Sequence, residues 1–579
     1  LREDFIVLLG LGFVLLLMFL SLASRLPRST TVSSSSSAVV TETKTKAAGE
    51  GRAENGGPLR TSRRNFVLVK AALLCLTILL CARLGRYGSL CREEHGPSCI
   101  SNFYAAPSAR AVRVPVEEAE GEGGEGHVLA PHMGVSGGLA ALGEGGATNS
   151  IPSIVLAYIC AYFLPGVLQT LLSYARFGGG ERSEGNVGVA PRFLGWVLRP
   201  ALLAAAGHWA ADRLAGDVGL TTGAGAGAGA RVGEAGGDRT AEWAAGAAVF
   251  VGRTSAVLLG IAAVFWLLAP ICIEFRQVDV PVVPGTAAGA NAGRKQVQLL
   301  GFGNAFGSTY LLLVSVVFGL LFLSAQPSGQ VTLSLGMVAL VLLSELGAEL
   351  RSVGVIAGGN DDDGGGGLGG TLWASALALL AHNTFFSTGH QATLSAIQWR
   401  TAFVLTRSVR YPWSPLLVVL NAVGPLAVFP AVGCSLGVLW GLVGRAPVVL
   451  PSGRVSEDEE EDQEEEEEEG VRSAAELADT KAERERKKKI SAAHMYTVLD
   501  LLRAQVCLTL YFTVLTLGSA VWGTAMRRHL MLYKVWTPRF MLAAMGGVGV
   551  QVVGGVVGVG VVGCVVLAKG AAMFGSRFR

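Results

Sequence analysis

The sequence predicts an all-α fold, a polytopic transmembrane bundle of about eleven helices with disordered Gly-rich and acidic loops. Hydrophobic residues make up 51% of the 579 residues and charged residues only 16%, whereas about a quarter of the residues in soluble domains are charged. Apolar runs that are long enough to cross a hydrocarbon core of about 30 Å, which takes about 20 helical residues, recur along the chain. The predicted spans begin near Phe5, Phe66, Ile151, Phe193, Trp243, Leu299, Val331, Thr371, Pro415, Thr497 and Phe540.

The charge of the connecting segments predicts how the spans are oriented. Short cytosolic loops carry an excess of Lys and Arg, and the connection from Arg25 to Arg64 has eight of them. This connection is therefore expected in the cytosol and residue 1 in the lumen. Alternation then places the loop 85–150 in the lumen and the loop 444–492 in the cytosol. Whether Val331–Gly347 crosses the membrane decides the orientation of all later spans.

The chain divides into five regions. They are the first two spans with their basic cytosolic connection (1–84), a lumenal loop (85–150), a central membrane bundle with Gly-rich insertions (151–443), an acidic and basic disordered loop (444–492) and the C-terminal spans (493–579). In the fourth region, twelve of the thirteen residues from Glu457 to Glu469 are acidic. This run and the Gly-rich segments Thr221–Gly237 and Gly358–Gly370 hold too few apolar side chains to order themselves. They are expected to be solvated linkers, and no nucleic-acid partner is expected.

The sequence offers no metal site and no catalytic centre. Nine cysteines occur without a C-x-x-C pair, and the eight histidines are scattered, with only His382 and His390 expected to share a site, so this chain is not expected to bind zinc. Hydrolase, P-loop and metalloprotease motifs are absent as well. Cys91 and Cys99 lie in the loop that is expected in an oxidising lumen. The sequence is compatible there with either a disulfide between them or two free thiols.

A few charged residues lie inside the predicted spans. Glu345 and Glu349 are one turn apart on one helical face, and Asp500 and Arg503 have the i, i+3 spacing of an ion pair. Such groups could form the ion path of a transporter. The alternative is structural, with the pair neutralising itself and the two glutamates sitting near a membrane end.

The densest group of polar residues lies between His382 and Trp399, in HNTFFSTGHQATLSAIQW. A polar group that faces lipid without a partner is strongly unfavourable, so these side chains should face the bundle interior or a wet cavity. We predict the functional site here. The alternative is a polar network that only fixes helix packing.

Glycine is abundant, with 78 of the 579 residues. Gly554 and Gly558 are one turn apart in the last span and are predicted to let another helix approach closely. The motif GFGNAFG, which begins at Gly301, resembles a nucleotide-binding loop only superficially. No strand precedes it and a membrane helix follows it.

Five segments are distinctive in combination. They are FFSTGHQATLSAIQWRTAF from Phe385, CREEHGPSC from Cys91, RRHLMLYKVWTPRFM from Arg527, NAFGSTYLLL from Asn304 and NAVGPLAVFPAVGCSLGVLW from Asn421. Together they resemble the membrane half of the GPI ethanolamine phosphate transferases, closest to the type 3 members of the PIG-O kind. The resemblance covers most of the predicted spans but not the Gly-rich and acidic insertions.

The resemblance implies a multi-pass enzyme of the endoplasmic reticulum membrane that moves phosphoethanolamine from phosphatidylethanolamine to a mannose of the GPI anchor precursor. Family members carry an N-terminal lumenal domain of the alkaline phosphatase type, with a Thr nucleophile and two zinc ions that activate it. Zinc is expected in that domain and none in this chain. The chain begins with Leu1 directly before a span and is expected to be the C-terminal portion of a longer protein. No catalytic residue therefore carries over to it.

The resemblance also implies that the membrane half positions the lipid substrates. Phosphatidylethanolamine and GPI precursor lipids are the expected partners, together with a PIG-F-like stabilising subunit. The side chains expected to bind a phosphate or a sugar are Asn383, His390, Gln391 and Gln398. Trp399 would stack on a sugar or anchor the chain at the membrane interface.

Three further candidates are Arg527, Arg528 and His529, which fall on the lumenal side against the positive-inside tendency. They would hold a lipid phosphate or dock against an acidic face of the catalytic domain. If the number of spans is off by one, they are ordinary cytosolic anchors instead.

Two other function classes stay open. A transporter would use Glu345, Glu349, Asp500 and His382 as an ion path, although the inverted repeats typical of transporters are not found in the sequence. A non-catalytic membrane scaffold would need no catalytic domain at all.

Overall fold

A computed structural model describes residues 3–26, 57–85, 151–173, 189–224, 235–268, 275–279, 295–299, 302–352, 367–390, 397–439, 501–528 and 536–575. The predictions for Cys91, Cys99 and Asp500 lie outside these residues. So do those for the acidic and basic segments of the loop 444–492.

Helices occupy the positions of all eleven predicted spans. They are α1 (Glu3–Arg25), α2 (Gly57–Leu84), α3 (Ile151–Ser173), α4 (Val189–Ala224), α5 (Ala235–Leu268), α6 (Phe302–Ser324), α7 (Pro327–Ser352), α8 (Gly367–Ser387), α9 (Trp413–Leu439), α10 (Leu501–Ala525) and α11, which runs from Thr537–Val550 through the π-helical Gln551–Val562 to Gly563–Gly575. In the described part of the chain, eight helices are long and apolar enough to cross a membrane, namely α1, α2, α5, α6, α7, α9, α10 and α11. The predicted helical membrane bundle is confirmed.

The helices form because hydrocarbon offers no water to the backbone, so every amide and carbonyl must pair within its own segment. Pro165, Pro200, Pro425 and Pro430 nevertheless lie inside helices. Prolines are tolerated in membrane helices because neighbouring helices and polar side chains satisfy the backbone groups that they free.

The centre of the bundle consists of α6, α7, α8 and α9. Helix α9 packs along both α6 and α8, and α7 packs against α8. Phe318 and Phe322 of α6 are fully buried with Phe429 of α9, and the ring centroids of Phe318 and Phe429 are 6.1 Å apart. This aromatic contact fixes the crossing of α6 and α9.

The remaining helices surround this centre. Helices α4 and α5 pair with each other, α3 and α6 flank them, and α2 packs against α7. Helix α10 lies outermost, and its Val506, Leu510 and Val514 are each more than half exposed. An apolar stripe of this kind is suited to contact lipid chains.

The helices begin and end at two opposite ends of the bundle. Thr332 near the start of α7 donates a 3.1 Å hydrogen bond to the carbonyl oxygen of Gly85, directly after α2. Ser387 at the end of α8 adjoins the same glycine. Helices α7 and α8 are therefore antiparallel, and we call the end where these residues meet the polar end. Helix α7 runs from this end to the other, as its predicted crossing requires.

Two features depart from the sequence predictions. The segments Phe275–Asp279 (β1) and Lys295–Leu299 (β2) form an antiparallel two-stranded sheet, in which Val297 and Leu299 alternate with glutamines at the period of a strand. Helices also enter both Gly-rich segments that the sequence predicts to be linkers. Helix α4 extends to Ala224 and α5 starts at Ala235, inside Thr221–Gly237, and α8 starts at Gly367, inside Gly358–Gly370.

Glycines mark the closest helix contacts. A Cβ atom added at Gly307 of α6 would lie 2.7 Å from the backbone nitrogen of Leu439 at the end of α9. Gly307 of the GFGNAFG motif therefore lies at a helix crossing. The prediction that no strand precedes this motif is wrong, because β2 ends at Leu299; the prediction that a helix follows it is confirmed by α6. Gly554 and Gly558 are both buried in α11, but they accept side chains of α10 and α6 rather than another backbone.

Candidate functional site

The predicted polar stretch leaves α8 through a glycine turn. Helix α8 ends at Ser387, and the backbone N–H of Gly389 donates a 3.2 Å hydrogen bond to the carbonyl oxygen of Phe386. Gly389 has a φ of 89°, a left-handed conformation that glycine adopts without steric cost. The turn brings His390 back onto the helix end, where its ring stacks on Phe385 at a centroid distance of 5.2 Å.

The imidazole of His390 is buried, and its hydrogen bonds identify its tautomer. The Thr388 hydroxyl donates to the carbonyl oxygen of Phe385 at 2.8 Å and lies 2.9 Å from Nδ1 of His390. Because the hydroxyl has a single proton, both contacts are hydrogen bonds only when its oxygen accepts from Nδ1–H. Nε2 therefore carries a lone pair, and it has no hydrogen-bond partner. His390 lies past the end of α8, and burial lowers its pKa to about 4, so the ring is neutral near pH 7.

Gln398 connects this turn to α9. Its amide nitrogen donates to the carbonyl oxygen of Thr388 at 3.1 Å, and its amide oxygen accepts from Asn421 of α9 at 3.1 Å. The Thr401 hydroxyl, in the 3-10 helix Trp399–Phe403, donates to the Gln398 carbonyl oxygen at 2.8 Å. A chain of hydrogen bonds thus runs from Asn421 through Gln398 and Thr388 to His390.

Asn383 and Ser387 form the other side of the site. They are one turn apart on α8, and each is 2% exposed. The amide nitrogen of Asn383 donates to the carbonyl oxygen of Ala82 in α2 at 3.3 Å, whereas its amide oxygen has no partner. The Ser387 hydroxyl has no partner either. We call the following set the polar cluster: Asn383, Ser387, Thr388, His390, Gln398 and Asn421.

Trp399 lies outside the polar cluster. Its side chain is 64% exposed, and Tyr411 and Trp413 are exposed nearby in sequence. The neighbouring Arg400 forms a 3.4 Å ion pair with Asp212 of α4. Of the two roles predicted for Trp399, this placement favours an interfacial anchor, because aromatic side chains concentrate at the membrane–water boundary.

Arg527 and Arg528 are exposed directly after α10, whereas Gln391 and His529 lie outside the described residues. Helix α11 runs parallel to α9, with Gly549 against Val423, and α10 runs antiparallel to α11. The end of α10 therefore points toward the polar end of the bundle. These two arginines therefore lie at the end of the bundle that also holds the polar cluster.

The ion path of the transporter alternative is not assembled in the described residues. His382 bonds through Nδ1 to the Tyr511 hydroxyl at 2.9 Å. Glu345 and Glu349 instead form ion pairs with Lys70 of α2, that of Glu345 at 2.7 Å. Because α7 and α8 are antiparallel, the glutamates lie about 10 Å or more from His382 along the helix axis, at about 1.5 Å per residue.

No group of three His, Cys, Asp or Glu side chains that could hold a metal ion is found within the described residues. A zinc ion needs at least three protein ligands in tetrahedral geometry. The described residues therefore do not fit a zinc site.

Sequence reasoning missed Ser387, Thr388 and Asn421 as members of the site. A signal for Asn421 was present, because a buried amide inside an apolar span needs a partner. Ser387 and Thr388 gave no such signal, since hydroxyls in membrane helices often bond to the preceding turn of their own helix.

Comparison with known proteins gives one consistent result. No family model and no solved structure matches the chain. The chain is 29% identical over 297 residues to GPI ethanolamine phosphate transferase 3 of Eremothecium gossypii, which covers 51% of this chain and 22% of that protein. It is 26% identical over 288 residues to the Saccharomyces cerevisiae protein of the same name, covering 50% and 21%. With the Homo sapiens GPI ethanolamine phosphate transferase 3, catalytic subunit, it shares 31% identity over 183 residues, covering 30% and 15%.

The similarity that the motifs indicated is thus confirmed. The match spans about a fifth of the length of the two fungal relatives and takes up about half of this chain.

Proposed function

We propose that this chain is the membrane portion of a transferase of GPI-anchor biosynthesis in the endoplasmic reticulum. The enzyme moves phosphoethanolamine from phosphatidylethanolamine to a mannose of the GPI precursor, and this portion positions the two lipids. The observation that carries the proposal is the similarity over 297 residues to a protein named for that activity. The proposal includes a PIG-F-like membrane subunit as a partner.

The physical argument for lipid positioning comes from where the polar groups lie. Both lipids keep their acyl chains in the bilayer, while their head groups must reach the catalytic site. The bundle offers an apolar outer surface on α10 and a buried polar cluster at one end. Exposed aromatic side chains, Trp399 and Tyr411 among them, follow the cluster in sequence and suit the level of the lipid head groups.

The chemistry of transfer is assigned to a zinc-dependent domain of the alkaline phosphatase type, on the basis of the family resemblance. When bound there, zinc would activate a nucleophile and stabilise charge on the transferring phosphorus. The described residues do not fit a zinc site, so we derive no step of the transfer from them. Their role in the proposal is to hold and orient the head groups, which lowers the entropic cost of the reaction.

Depletion of the protein tests this proposal. In depleted cells, we expect GPI precursors that lack one phosphoethanolamine to accumulate, because the transfer to one mannose stops. Mass spectrometry of extracted GPI lipids measures this directly, and re-expression of the full-length protein should restore the complete precursor. Fully modified precursors in depleted cells would refute the proposal and leave the membrane scaffold as the better alternative.

A further inference from the structure

Arg199 of α4 is a charged side chain between two membrane-level helices. Its guanidinium carbon lies 4.9 Å from the ring centroid of Tyr162 in α3. A Cβ atom added at Gly166, one turn further along α3, would lie 3.6 Å from a terminal nitrogen of Arg199. The guanidinium therefore lies in the groove between α3 and α4. Its Nε is buried without a hydrogen-bond partner, and no ion pair or hydrogen bond of this side chain is found among the described residues.

The contacts of α4 with α5 give the depth of Arg199. Ala201, two residues further along α4, accepts a 2.8 Å hydrogen bond from the Ser255 hydroxyl of α5. Ser255 lies at the middle of Trp243–Leu268, the part of α5 that is apolar and long enough to cross a membrane. At about 1.5 Å per residue, each end of that span is about 18 Å or more away. Arg199 is therefore near the membrane centre, too deep for its charged group to reach the surface, as arginines near helix ends do.

The surface around this groove is apolar and exposed. Tyr162 and Phe163 of α3 and Trp196 of α4 are each at least half exposed. Apolar side chains at this depth can face lipid, but an arginine cannot do so without a large energetic cost. The contact with the Tyr162 ring is attractive, yet an aromatic ring carries no net charge and leaves the N–H donors of the guanidinium unpaired. The placement of Arg199 calls for an anion in the groove.

The described spans of this chain do not supply that anion. The eight helices that could cross the membrane contain two acidic residues within their spans, Glu345 and Glu349. Both form ion pairs with Lys70, so a second copy of these spans would offer carboxylates that already have a cation. A lipid phosphate lies at the membrane surface, outside the hydrocarbon core, and does not meet Arg199 at its depth. The remaining source is a carboxylate on a membrane helix of another protein.

We propose that the groove between α3 and α4 binds a transmembrane helix of a second protein, whose Asp or Glu side chain near mid-depth forms an ion pair with Arg199. A guanidinium and a carboxylate can join through two parallel hydrogen bonds, which fixes the partner helix in depth and orientation. Gly166 leaves the guanidinium open to such a contact, since it has no side chain. The exposed apolar side chains around the groove would pack against the same helix. The proposal does not depend on the proposed function.

Site-specific photo-crosslinking of the full-length protein in intact membranes tests this proposal. A benzoylphenylalanine replaces Phe163 beside the groove, or Leu510 on the exposed face of α10 as a reference position. The variants Arg199→Lys and Arg199→Gln keep and remove the charge. Arg253→Gln is the matched control, because Arg253 is an exposed arginine of the neighbouring α5 that has a partner in this chain, the carbonyl oxygen of Leu405 at 2.8 Å. Adducts are identified by peptide mass spectrometry and compared at equal abundance of the protein.

At position 163 we expect one protein adduct, mapped to a membrane span that contains an Asp or Glu, and at position 510 lipid adducts only. Arg199→Gln should lower the yield of the protein adduct about tenfold, the effect of losing a hydrogen-bonded charge pair. Arg199→Lys and Arg253→Gln should keep most of it. Arg199→Glu should abolish the adduct, and replacement of the partner's carboxylate by Lys should restore it.

Four results would overturn the proposal. They are lipid adducts alone at position 163, an adduct with a second copy of this chain, a captured span without an acidic residue, and a protein adduct whose yield is unchanged in Arg199→Gln. The crosslinking experiment requires no transfer activity. Its failure can therefore be told apart from a failure of the proposed function, which would appear as unchanged GPI precursors in depleted cells.

Discussion

We expect the full-length protein with His390→Ala to transfer phosphoethanolamine about tenfold more slowly than the wild type at equal abundance in the membrane. The substitution removes the acceptor Nε2. It also removes the contacts of the His390 ring with Thr388 and Phe385, which stabilise the turn. Loss of one hydrogen bond to a buried group is worth about 1–3 kcal/mol, and about 1.4 kcal/mol corresponds to a tenfold change in rate. Transfer is measured in microsomes with labelled phosphatidylethanolamine, and abundance by immunoblot of the same membranes.

The matched control for this experiment is Ser435→Ala in α9. Ser435 is fully buried and donates to the carbonyl oxygen of Val432 in its own helix at 2.7 Å, far along α9 from Asn421. We expect this variant to keep both activity and abundance. If the activity of His390→Ala falls only in step with its abundance, the polar cluster fixes helix packing and does not contact substrate.

Gly307→Ala should destabilise the bundle by about 2 kcal/mol, within the range for inserting atoms into a packed core. The added Cβ would lie 2.7 Å from the backbone nitrogen of Leu439. A backbone atom at that distance cannot rotate away as a flexible side chain would, so α6 and α9 must separate. The temperature at which half of the purified full-length protein remains soluble should fall, and less protein should reach the membrane.

Gly260→Ala in α5 is the control for this substitution. No atom lies within 4 Å of the Cβ that would be added there, and alanine favours helix over glycine by about 1 kcal/mol. This variant should be as stable as the wild type or slightly more stable. Equal losses in both variants would show that glycine content, rather than the contact of α6 with α9, determines stability.

The helices could be predicted from the sequence because a membrane span requires a fixed length of apolar chain. The position of the polar cluster inside the bundle could be predicted too, since His390, Asn383 and Gln398 are too polar to face lipid. Both arguments need only residues that are close together in the chain.

The contacts that build the site could not be predicted in this way. Asn421 binds Gln398 from 23 positions away, and Lys70 pairs with Glu345 across 275 positions. No local pattern encodes such pairings, because they depend on which helices become neighbours. The acceptor atoms of the site could not be predicted either. The fold determines which atom of each amide and imidazole is hydrogen-bonded and which atom is left without a partner.

Site-specific photo-crosslinking examines where lipid substrates meet the bundle. A benzoylphenylalanine replaces Trp399, which is 64% exposed beside the polar cluster in sequence, or Leu268, which is 76% exposed at the end of α5. Trp266 near that end of α5 bonds to Thr309 near the start of α6, which places Leu268 at the opposite end of the bundle. After irradiation of membranes, adducts of GPI precursor and phosphatidylethanolamine are expected at position 399, and adducts in proportion to bulk lipid at position 268. Bulk lipid alone at both positions would contradict the proposal that this bundle positions the substrates of phosphoethanolamine transfer.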